Sequence, residues 1–399
     1  MEAIRIIHTS DLHLDYTLTD YRREVRAIRR AELIEAFNFL VDEAIRAEAK
    51  LFVIAGDLLC AESVADTTMG VVRAGFARLM KAGTYVVLVP GEAEEGCGLD
   101  ALQEVACESN VHLFAGEEWA KFTPFPEFTV YGLRTTGRNA GSAVLANLAI
   151  EGPGRHMGVM HGTFSGTPGF EKPLSPVSSE DLSAAGLDYL ALGHYHNMVN
   201  CSVGRATCWY SGAPAHHGFD TRGERHALLV TFRDQGTRVS PIKVPSRAQR
   251  VICVDVTGKS KDQLFARLKS LESEDLCLKV ELQGHLDERD ASVPRELVEE
   301  FSGRFFHLEV VDRTAVGLGR RGRRAERPQG SDLGPPVRAF LRKVTEISSG
   351  ARSASGAFGD VPASVLARAV KYGLSALGEV RGIENREAGD SGKGQVPPA

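Results

Sequence analysis

The sequence lacks the features that mark secreted, disulfide-bonded and membrane-spanning proteins. Its 7 cysteines are odd in number and none lies in a C-x-x-C pair, so we expect neither a disulfide framework nor a thiolate zinc site. The chain does not open on a basic segment followed by an apolar stretch, so no signal peptide is expected. Apolar runs such as Leu51 to Ala55 are too short to span a bilayer. These absences predict a cytoplasmic protein without membrane contact.

The chain also lacks an excess of positive charge. Its 399 residues carry a formal net charge of -5, and the pI is near 6.2. Bulk charge therefore gives no argument for nucleic-acid binding, and any contact with DNA has to come from a local basic surface. The segment 315–336 is rich in Arg, Gly and Pro. Both a solvated flexible tether and a contact with DNA phosphates remain open for it.

Short β-rich runs alternate with helical patterns in the first half of the chain. Strands are expected at Ile4 to Ile7, Leu51 to Ala55 and Tyr85 to Val89, with helices within 24–49 and 64–81 between them. This βαβαβ order predicts a layered α/β fold whose strands are buried on both faces. Further strand-like runs follow at 128–133, 156–160 and 189–192, with returning strands between 207 and 232.

The composition changes near residues 244–250, and we interpret the chain as several parts. Residues 1–245 form the α/β domain, and 246–314 form a small α+β unit in which strands and helices alternate. The basic linker 315–336 leads to two amphipathic stripes within 337–380. These stripes predict helices that either pack on this chain or present an apolar face to a partner. The polar tail 381–399 is expected to be disordered.

A residue able to bind a metal follows the end of each of five apolar strands. Sites in open α/β sheets form outside the carboxyl ends of the strands, so these side chains are expected to converge. Two divalent cations roughly 3.5–4 Å apart activate water and stabilise charge on phosphoryl oxygens, and Asp57 suits a bridging carboxylate. Oxygen and imidazole ligands without thiolates favour manganese, with iron or zinc as alternatives. The candidate ligands are Asp11, His13, Asp57, Glu92, His161, His194 and His196.

The ordered motifs HTSDLH, IAGDLL, LVPGE, MHG and ALGHYH resemble those of the calcineurin-like metallophosphoesterase superfamily. The resemblance is closest to its DNA-repair exonuclease branch, the SbcD-like and YhaO-like nuclease subunits, and the α+β unit looks like the capping domain of that branch. It implies a layered β-sandwich with helices on both faces, with Asp57, His161 and His194 among the catalytic residues. It also implies one cation held by Asp11, His13, Asp57 and His196, and a second held by Asp57, Glu92, His161 and His194.

The third motif departs from the family pattern. The family has Gly-Asn-His followed by an acid, whereas residues 91–94 read GEAE. Glu92 can still bind a metal as a carboxylate. Ala93, however, stands where the family has a histidine that stabilises the transition state and assists the leaving group, and such help is typically worth roughly 10²–10⁴ in rate. Glu94, Glu95 and His8 are candidates to replace this histidine, but exposed or structural roles are expected for all three.

Three functions remain open at this point. The first is a manganese-dependent DNA exonuclease or endonuclease that uses a metal-activated hydroxide. The second is a scaffold or DNA-binding subunit whose chemistry has decayed, which Ala93 favours. The third is a small-molecule phosphodiesterase, against which the α+β unit and the basic linker argue. The resemblance further implies DNA, a coiled-coil ATPase of the SbcC type and a second copy of the chain as partners. His216 and His217 are expected in a solvent-exposed loop, with a contact to DNA, implied by the loop position in the family, as the alternative.

Overall fold

A computed structural model of the protein describes residues 3–60, 64–95, 97–107, 110–136, 144–167, 173–221 and 223–317. The chain divides into two compact units between Gln249 and Arg250. Most of the predicted linker, both predicted C-terminal helices and the predicted tail lie outside the described residues. No helix in the described ranges has the length and apolar character needed to cross a bilayer.

The first unit contains two six-stranded mixed sheets. The first sheet has the order β12-β11-β1-β2-β3-β4, with β1 (Ile4–Thr9), β2 (Leu51–Ala55), β3 (Tyr85–Val89), β4 (Val111–Leu113), β11 (Arg225–Arg233) and β12 (Gly236–Val244). The second has the order β5-β6-β7-β8-β10-β9, with β5 (Ala120–Phe125), β6 (Phe128–Leu133), β7 (Arg155–His161), β8 (Tyr189–Gly193), β9 (Val199–Asn200) and β10 (Thr207–Tyr210). Strands β1 to β4 run parallel in the first sheet, and β6, β7, β8 and β10 run parallel in the second.

The two sheets pack face to face, and helices cover their outer faces. Strand β2 shows the layering, because Leu51, Val53 and Ala55 lie in the core between the sheets while Phe52 and Ile54 lie in the core beneath the helices. The helices of this unit are α1 (Arg23–Arg46), α2 (Asp66–Lys81), α3 (Cys97–Val105) and α4 (Ser179–Ala184). The predicted layered β-sandwich with helices on both faces is therefore confirmed.

Helix α1 is positioned by an apolar face at helical spacing. Leu33, Phe37, Leu40, Val41 and Ala44 are buried on one side of the helix and pack into the core under the first sheet. The apolar spacing predicted this helix, although Ile28, which fits the same spacing, is 48% exposed. The predicted first strand is two residues longer in the structure, because β1 continues to Thr9. Strands β4, β5 and β12 and helices α3 and α4 were not predicted, since their apolar patterns are short or mixed.

The second unit is a small α+β structure. It contains β13 (Gln249–Asp255), α5 (Lys261–Lys269), β14 (Ser273–Gln283), β15 (His285–Asp287), α6 (Val293–Phe301), β16 (Phe305–Asp312) and β17 (Ala315–Gly317). A three-stranded sheet has the order β13-β14-β16, and β15 pairs with β17. Its strands and helices follow the predicted order. Residues 315–317, assigned above to the linker, form β17.

Candidate metal centre

The carboxyl ends of five strands bring the seven candidate ligands together. Asp11 and His13 follow β1, Asp57 follows β2 and Glu92 follows β3, while the other three lie at the ends of β7 and β8. Three groups have ligand atoms within 4.8 Å of one another. They are Asp11, His13 and His196; Glu92, His161 and His194; and Asp11, Asp57 and His161.

Backbone hydrogen bonds fasten the first two loops to each other. The N–H of Asp11 donates to the carbonyl of Gly56 at 3.0 Å, and the N–H of His13 donates to the carbonyl of Asp57 at 2.9 Å. The Asp11 carboxylate also accepts a hydrogen bond from the backbone N–H of His194 at 3.0 Å. The loops after β1, β2 and β8 are therefore held in one arrangement by contacts that do not use the imidazoles.

Several candidate ligands lie in a strained backbone conformation. The φ angles are 53° at Asp11, 45° at His13, 55° at Asp57 and 101° at His194. Residues other than glycine rarely adopt positive φ, and each such position costs on the order of 1–3 kcal/mol unless the surroundings enforce it. Strain of this kind clusters at functional sites. Strained residues are concentrated in these loops. The rest of the fold therefore stabilises a backbone conformation that is locally unfavourable but places the candidate ligands together.

Gly193 allows a close approach between the two sheets at this edge. A Cβ atom at this position would lie 1.8 Å from the carbonyl oxygen of Ala55. The same carbonyl contacts Nδ1 of His161 at 2.9 Å. Because a carbonyl only accepts, Nδ1 carries the proton, and the lone pair of His161 is on Nε2. This arrangement directs Nε2 toward Asp57.

Asp57 lies between two buried imidazoles. Its Oδ2 atom is 3.4 Å from Nε2 of His13 and 3.4 Å from Nε2 of His161. Both nitrogens are buried and make no hydrogen bond within the part of the chain that the structure describes. The other oxygen, Oδ1, accepts a hydrogen bond from the N–H of Ala93 at 2.9 Å. Buried imidazole nitrogens without hydrogen-bond partners around one carboxylate oxygen fit a site for cations.

The electrostatics of the cluster favour ionised carboxylates. Burial raises the pKa of Asp11, but the nearby His196, His161 and His13 outweigh burial and lower the pKa below its usual value. A hydrogen bond with His194 lowers the pKa of Glu92. Burial lowers the pKa of His161, but the charges of Asp57 and Asp11 outweigh burial, so the pKa lies above its usual value. The centre is therefore an anionic cluster with imidazoles around it, a composition that attracts divalent cations.

Glu94 is buried next to this cluster, and its side chain forms hydrogen bonds with the backbone. Its carboxylate accepts hydrogen bonds from the N–H groups of Asp57 at 3.0 Å, Leu59 at 2.8 Å and Gly91 at 2.8 Å. Burial and the neighbouring charge of Asp57 raise the pKa of Glu94 to about 8. The expected structural role is thus observed. His8 is also fully buried, and its Nδ1 is 2.8 Å from the hydroxyl of Tyr189.

A cavity of about 750 Å³ opens over the cluster. Ala93 is among its lining residues, so the position of the absent histidine faces the cavity. Asp220 also lines it, and its Oδ2 is 3.2 Å from Nδ1 of His196. Burial lowers the pKa of His196, but the hydrogen bond with Asp220 and the charge of Asp11 raise it to about 8. Asp220 was not among the predicted site residues, because no motif surrounds it and its contact depends on the path of a long loop.

His216 and His217 are buried, so the expected solvent-exposed loop is wrong. Their exposed fractions are 1% and 4%. The guanidinium of Arg29 donates to the carbonyl of His216 at 2.7 Å, which holds the loop against α1. The ring of His217 lies 4.8 Å from the ring of His13, and its Nε2 is 3.0 Å from the carbonyl of Leu12. His217 therefore packs against a candidate ligand.

A four-layer α/β sandwich with acids and imidazoles gathered at its strand ends defines a class of metal-dependent phosphoester hydrolases. Residues 4–215 match the family model described as calcineurin-like phosphoesterase. The match covers more than half of the 399 residues, so the chain belongs to the calcineurin-like phosphoesterase family. The resemblance inferred from the motifs is confirmed. The chain is a metallophosphoesterase with a set of candidate metal-binding residues.

The similar proteins include two curated relatives and several solved structures. The chain is 24% identical to the uncharacterized metallophosphoesterase YhaO of Bacillus subtilis over 75% of this chain and 76% of that protein. It is 24% identical to the DNA double-strand break repair protein Mre11 of Methanosarcina mazei over 66% of this chain, but the match spans only 42% of that relative. A crystal structure of a dimetal phosphatase from Danio rerio covers 61% of this chain and 99% of its own, at 11% identity and a TM-score of 0.36.

Proposed function

We propose that the protein hydrolyses phosphodiester bonds in DNA with two divalent cations. The observation that carries this proposal is the placement of Asp57 between two ligand groups, with Asp11, His13 and His196 in one and Glu92, His161 and His194 in the other. Manganese is the proposed metal, with iron or zinc as alternatives, because the ligands are carboxylates and imidazoles without thiolates. When bound, such cations supply a nucleophile from water at neutral pH and stabilise charge on the phosphoryl oxygens.

The protein residues would hold and orient the reacting groups. Asp57 would bridge the two cation positions, and His161 would keep Nε2 toward it because Nδ1 donates to Ala55. Asp11 would hold the loop of His194 while its carboxylate faces His196. Asp57, His161 and His194 are the residues to which we assign the catalytic role.

DNA is proposed as the substrate from two considerations. Relatives named DNA double-strand break repair protein Mre11 match over 66% of this chain. The chain also carries a separate α+β unit after the catalytic unit, in the position expected of a capping domain. The proposed partners are a coiled-coil ATPase of the SbcC type and a second copy of the chain. Truncation at Gly334 is expected to abolish co-purification with such an ATPase, and retained binding would refute docking through the C-terminal segment.

Ala93 favours a second candidate, a catalytically impaired scaffold or DNA-binding subunit. Alanine cannot donate a proton, and the nearby Glu94 uses its carboxylate on three backbone N–H groups. Loss of a general acid typically lowers the rate by roughly 10²–10⁴. We therefore expect slow hydrolysis with ordinary cation binding, and a rate indistinguishable from the uncatalysed reaction would establish the scaffold instead.

Asp57→Asn tests the centre, with Asp100→Asn, on the exposed side of α3, as the matched control. The metal content of dialysed protein would be measured beside the hydrolysis of linear duplex DNA and of a chromogenic phosphodiester. Asp57→Asn should lose bound cations and both activities, while Asp100→Asn retains them. Unchanged metal content in Asp57→Asn would refute the assigned centre. Hydrolysis of the chromogenic ester without any cleavage of DNA would refute the substrate.

A further inference from the structure

Four arginines form a basic ridge at the start of α1, one at its N-cap and three within the helix. We define the arginine ridge as Arg22, Arg23, Arg26 and Arg30. Arg23 and Arg30 are exposed, and neither makes an ion pair or hydrogen bond within the described ranges of the chain. Residues 20–30 contain five arginines against two acids, in a chain whose net charge is -5. The ridge is thus a local reversal of the overall charge.

The ridge is unfavourable for the helix on which it lies. Arg26 and Arg30 are spaced four residues apart within the helix, so they place like charges on one face, and such a pair destabilises a helix by about 0.2–0.5 kcal/mol. Cations near the start of a helix are disfavoured as well. Glu24 has Ala27 and Ile28 at the positions where a basic partner would help. Helix stability therefore does not explain these arginines.

The ridge adjoins the cavity of the candidate metal centre. Asp20 lines the cavity, and Arg23 is three positions further along the chain, a distance of at most about 11 Å. Arg26 reinforces the junction, because its Nε donates to the carbonyl of Tyr21 at 2.8 Å and its Nη2 donates to that of Thr19 at 3.3 Å. The ridge therefore begins at the rim of the cavity and is fixed to it.

The cavity itself is poorly suited to attract a polyanion. Asp20, Asp57, Glu92 and Asp220 line it, and no lysine or arginine is among its described lining residues. A phosphate chain approaching this opening meets negative charge until cations are bound. A neighbouring cationic surface offsets that repulsion and raises the rate of association.

We propose that the arginine ridge binds the phosphate backbone of DNA and guides the strand into the cavity. From Arg23 to Arg30 the helix rises about 10 Å, whereas one DNA strand advances only about 3.4 Å along the duplex axis per phosphate, so the ridge reaches more than one phosphate. A single small phosphate cannot engage guanidinium groups spread over this length. Arginine also matches phosphate oxygens in a bidentate geometry. This inference rests on the proposed function and extends it to substrate binding.

The double variant Arg23→Gln/Arg30→Gln tests the ridge and leaves the bracing contacts of Arg26 in place. The matched control, Arg205→Gln/Arg238→Gln, removes two exposed arginines of the same unit that do not line the cavity. Binding of a labelled linear duplex would be measured by fluorescence anisotropy over a salt series, with a chelator present to prevent cleavage. Hydrolysis of a chromogenic phosphodiester would be followed separately with manganese.

The ridge variant should bind duplex DNA about 10- to 30-fold more weakly near 0.15 M salt, with the salt slope reduced by about 2, since each phosphate contact contributes about 0.9. The control variant should match the wild type, and both variants should retain hydrolysis of the chromogenic ester. Equal affinity and slope in the ridge variant would overturn the ridge while leaving the proposed function intact. Wild-type protein that hydrolyses the ester but binds no duplex would overturn both the ridge and the DNA substrate. Loss of binding to anionic lipid vesicles with unchanged DNA binding would assign the ridge to a membrane surface and overturn the proposal.

Discussion

Glu94 accepts a hydrogen bond from the backbone N–H of Asp57 at 3.0 Å, through the same oxygen that accepts from Gly91 at 2.8 Å. One buried carboxylate thereby fixes the loop after β2 to the loop after β3. Both loops carry candidate ligands, so the separation of Asp57 and Glu92 depends on a residue that contacts neither cation position directly.

Glu94 should give the metal-free protein a characteristic dependence of stability on pH. Burial raises its pKa from 4.5 to about 8 in the folded chain, so the folded state binds this proton more tightly than the unfolded state does. The resulting stabilisation is complete below pH 4.5 and is lost as the pH rises through 8. Unfolding free energies of wild type and Glu94→Gln in chelator, between these limits, would measure it.

Glu94→Gln should be less stable at low pH and show a flatter pH dependence. The amide replaces one accepting oxygen with a donor that faces a backbone N–H, and an unsatisfied buried group costs about 1–3 kcal/mol. Glu95→Gln, at an exposed neighbour, is the control. Parallel pH profiles for wild type and Glu94→Gln would contradict this assignment.

Asp220 should strengthen cation binding through His196. Its Oδ2 lies 3.2 Å from Nδ1 of His196, and Nε2 of that ring is on the side of Asp11 Oδ1, 3.9 Å away. A carboxylate on the distal nitrogen fixes the tautomer and raises the basicity of a ligating imidazole, and removal of such partners typically costs about 10–100-fold in metal affinity. Titration calorimetry with Mn²⁺ would measure the change in Asp220→Ala.

Two further variants separate this positioning role from a general effect of charge. Asp220→Asn retains an oxygen that accepts from Nδ1, so it should recover part of the lost affinity. Asp20→Asn removes a carboxylate that lines the same cavity. Among the described contacts, the Asp20 side chain makes none with a candidate ligand. Equal losses in Asp20→Asn and Asp220→Ala would show that cavity charge alone matters.

The clustering of the candidate ligands could be predicted from the sequence where it depends on strand ends. Asp11, Asp57 and His161 follow or end buried strands whose apolar patterns are plain, and parallel strands bring their carboxyl ends to one edge. His217 was placed wrongly and Asp220 was not predicted, because their positions depend on the path of residues 211–221 over α1. That path is set by long-range contacts, such as the hydrogen bond from Arg29 to the carbonyl of His216. Such contacts cannot be predicted from the local sequence pattern.

The glycine that ends β8 leads to a prediction about packing. A Cβ at Gly193 would lie 1.8 Å from the carbonyl oxygen of Ala55 and 2.9 Å from Nδ1 of His161. Gly193→Ala should therefore push β8 away from β2, weaken the hydrogen bond between His161 and Ala55, and destabilise the unit by several kcal/mol. Gly204→Ala is a suitable control, since nothing lies within 4 Å of its added Cβ, although its φ of 59° adds local strain. Thermal unfolding that ranks Gly204→Ala as the more damaging change would contradict this packing.

Ala93 provides the most direct test of whether the chemistry is weakened or rewired. Its N–H donates to Oδ1 of Asp57 at 2.9 Å, so the backbone at this position is already held against the candidate bridging ligand. Its side chain lines a cavity of about 750 Å³, which leaves room for an imidazole. Ala93→His should therefore introduce a proton donor beside the reacting phosphate without displacing any candidate ligand.

The expected result for Ala93→His is a gain of roughly 10²–10⁴ in the turnover of a phosphodiester with a poor leaving group. The gain should be small for a nitrophenyl ester, because a good leaving group needs little protonation. Ala93→Gln, which fills similar space but cannot act as a general acid, should gain nothing on either substrate. Equal rates for Ala93→His and wild type at equal metal content would mean that another group already protonates the leaving oxygen, since the space and the cations would be present in both.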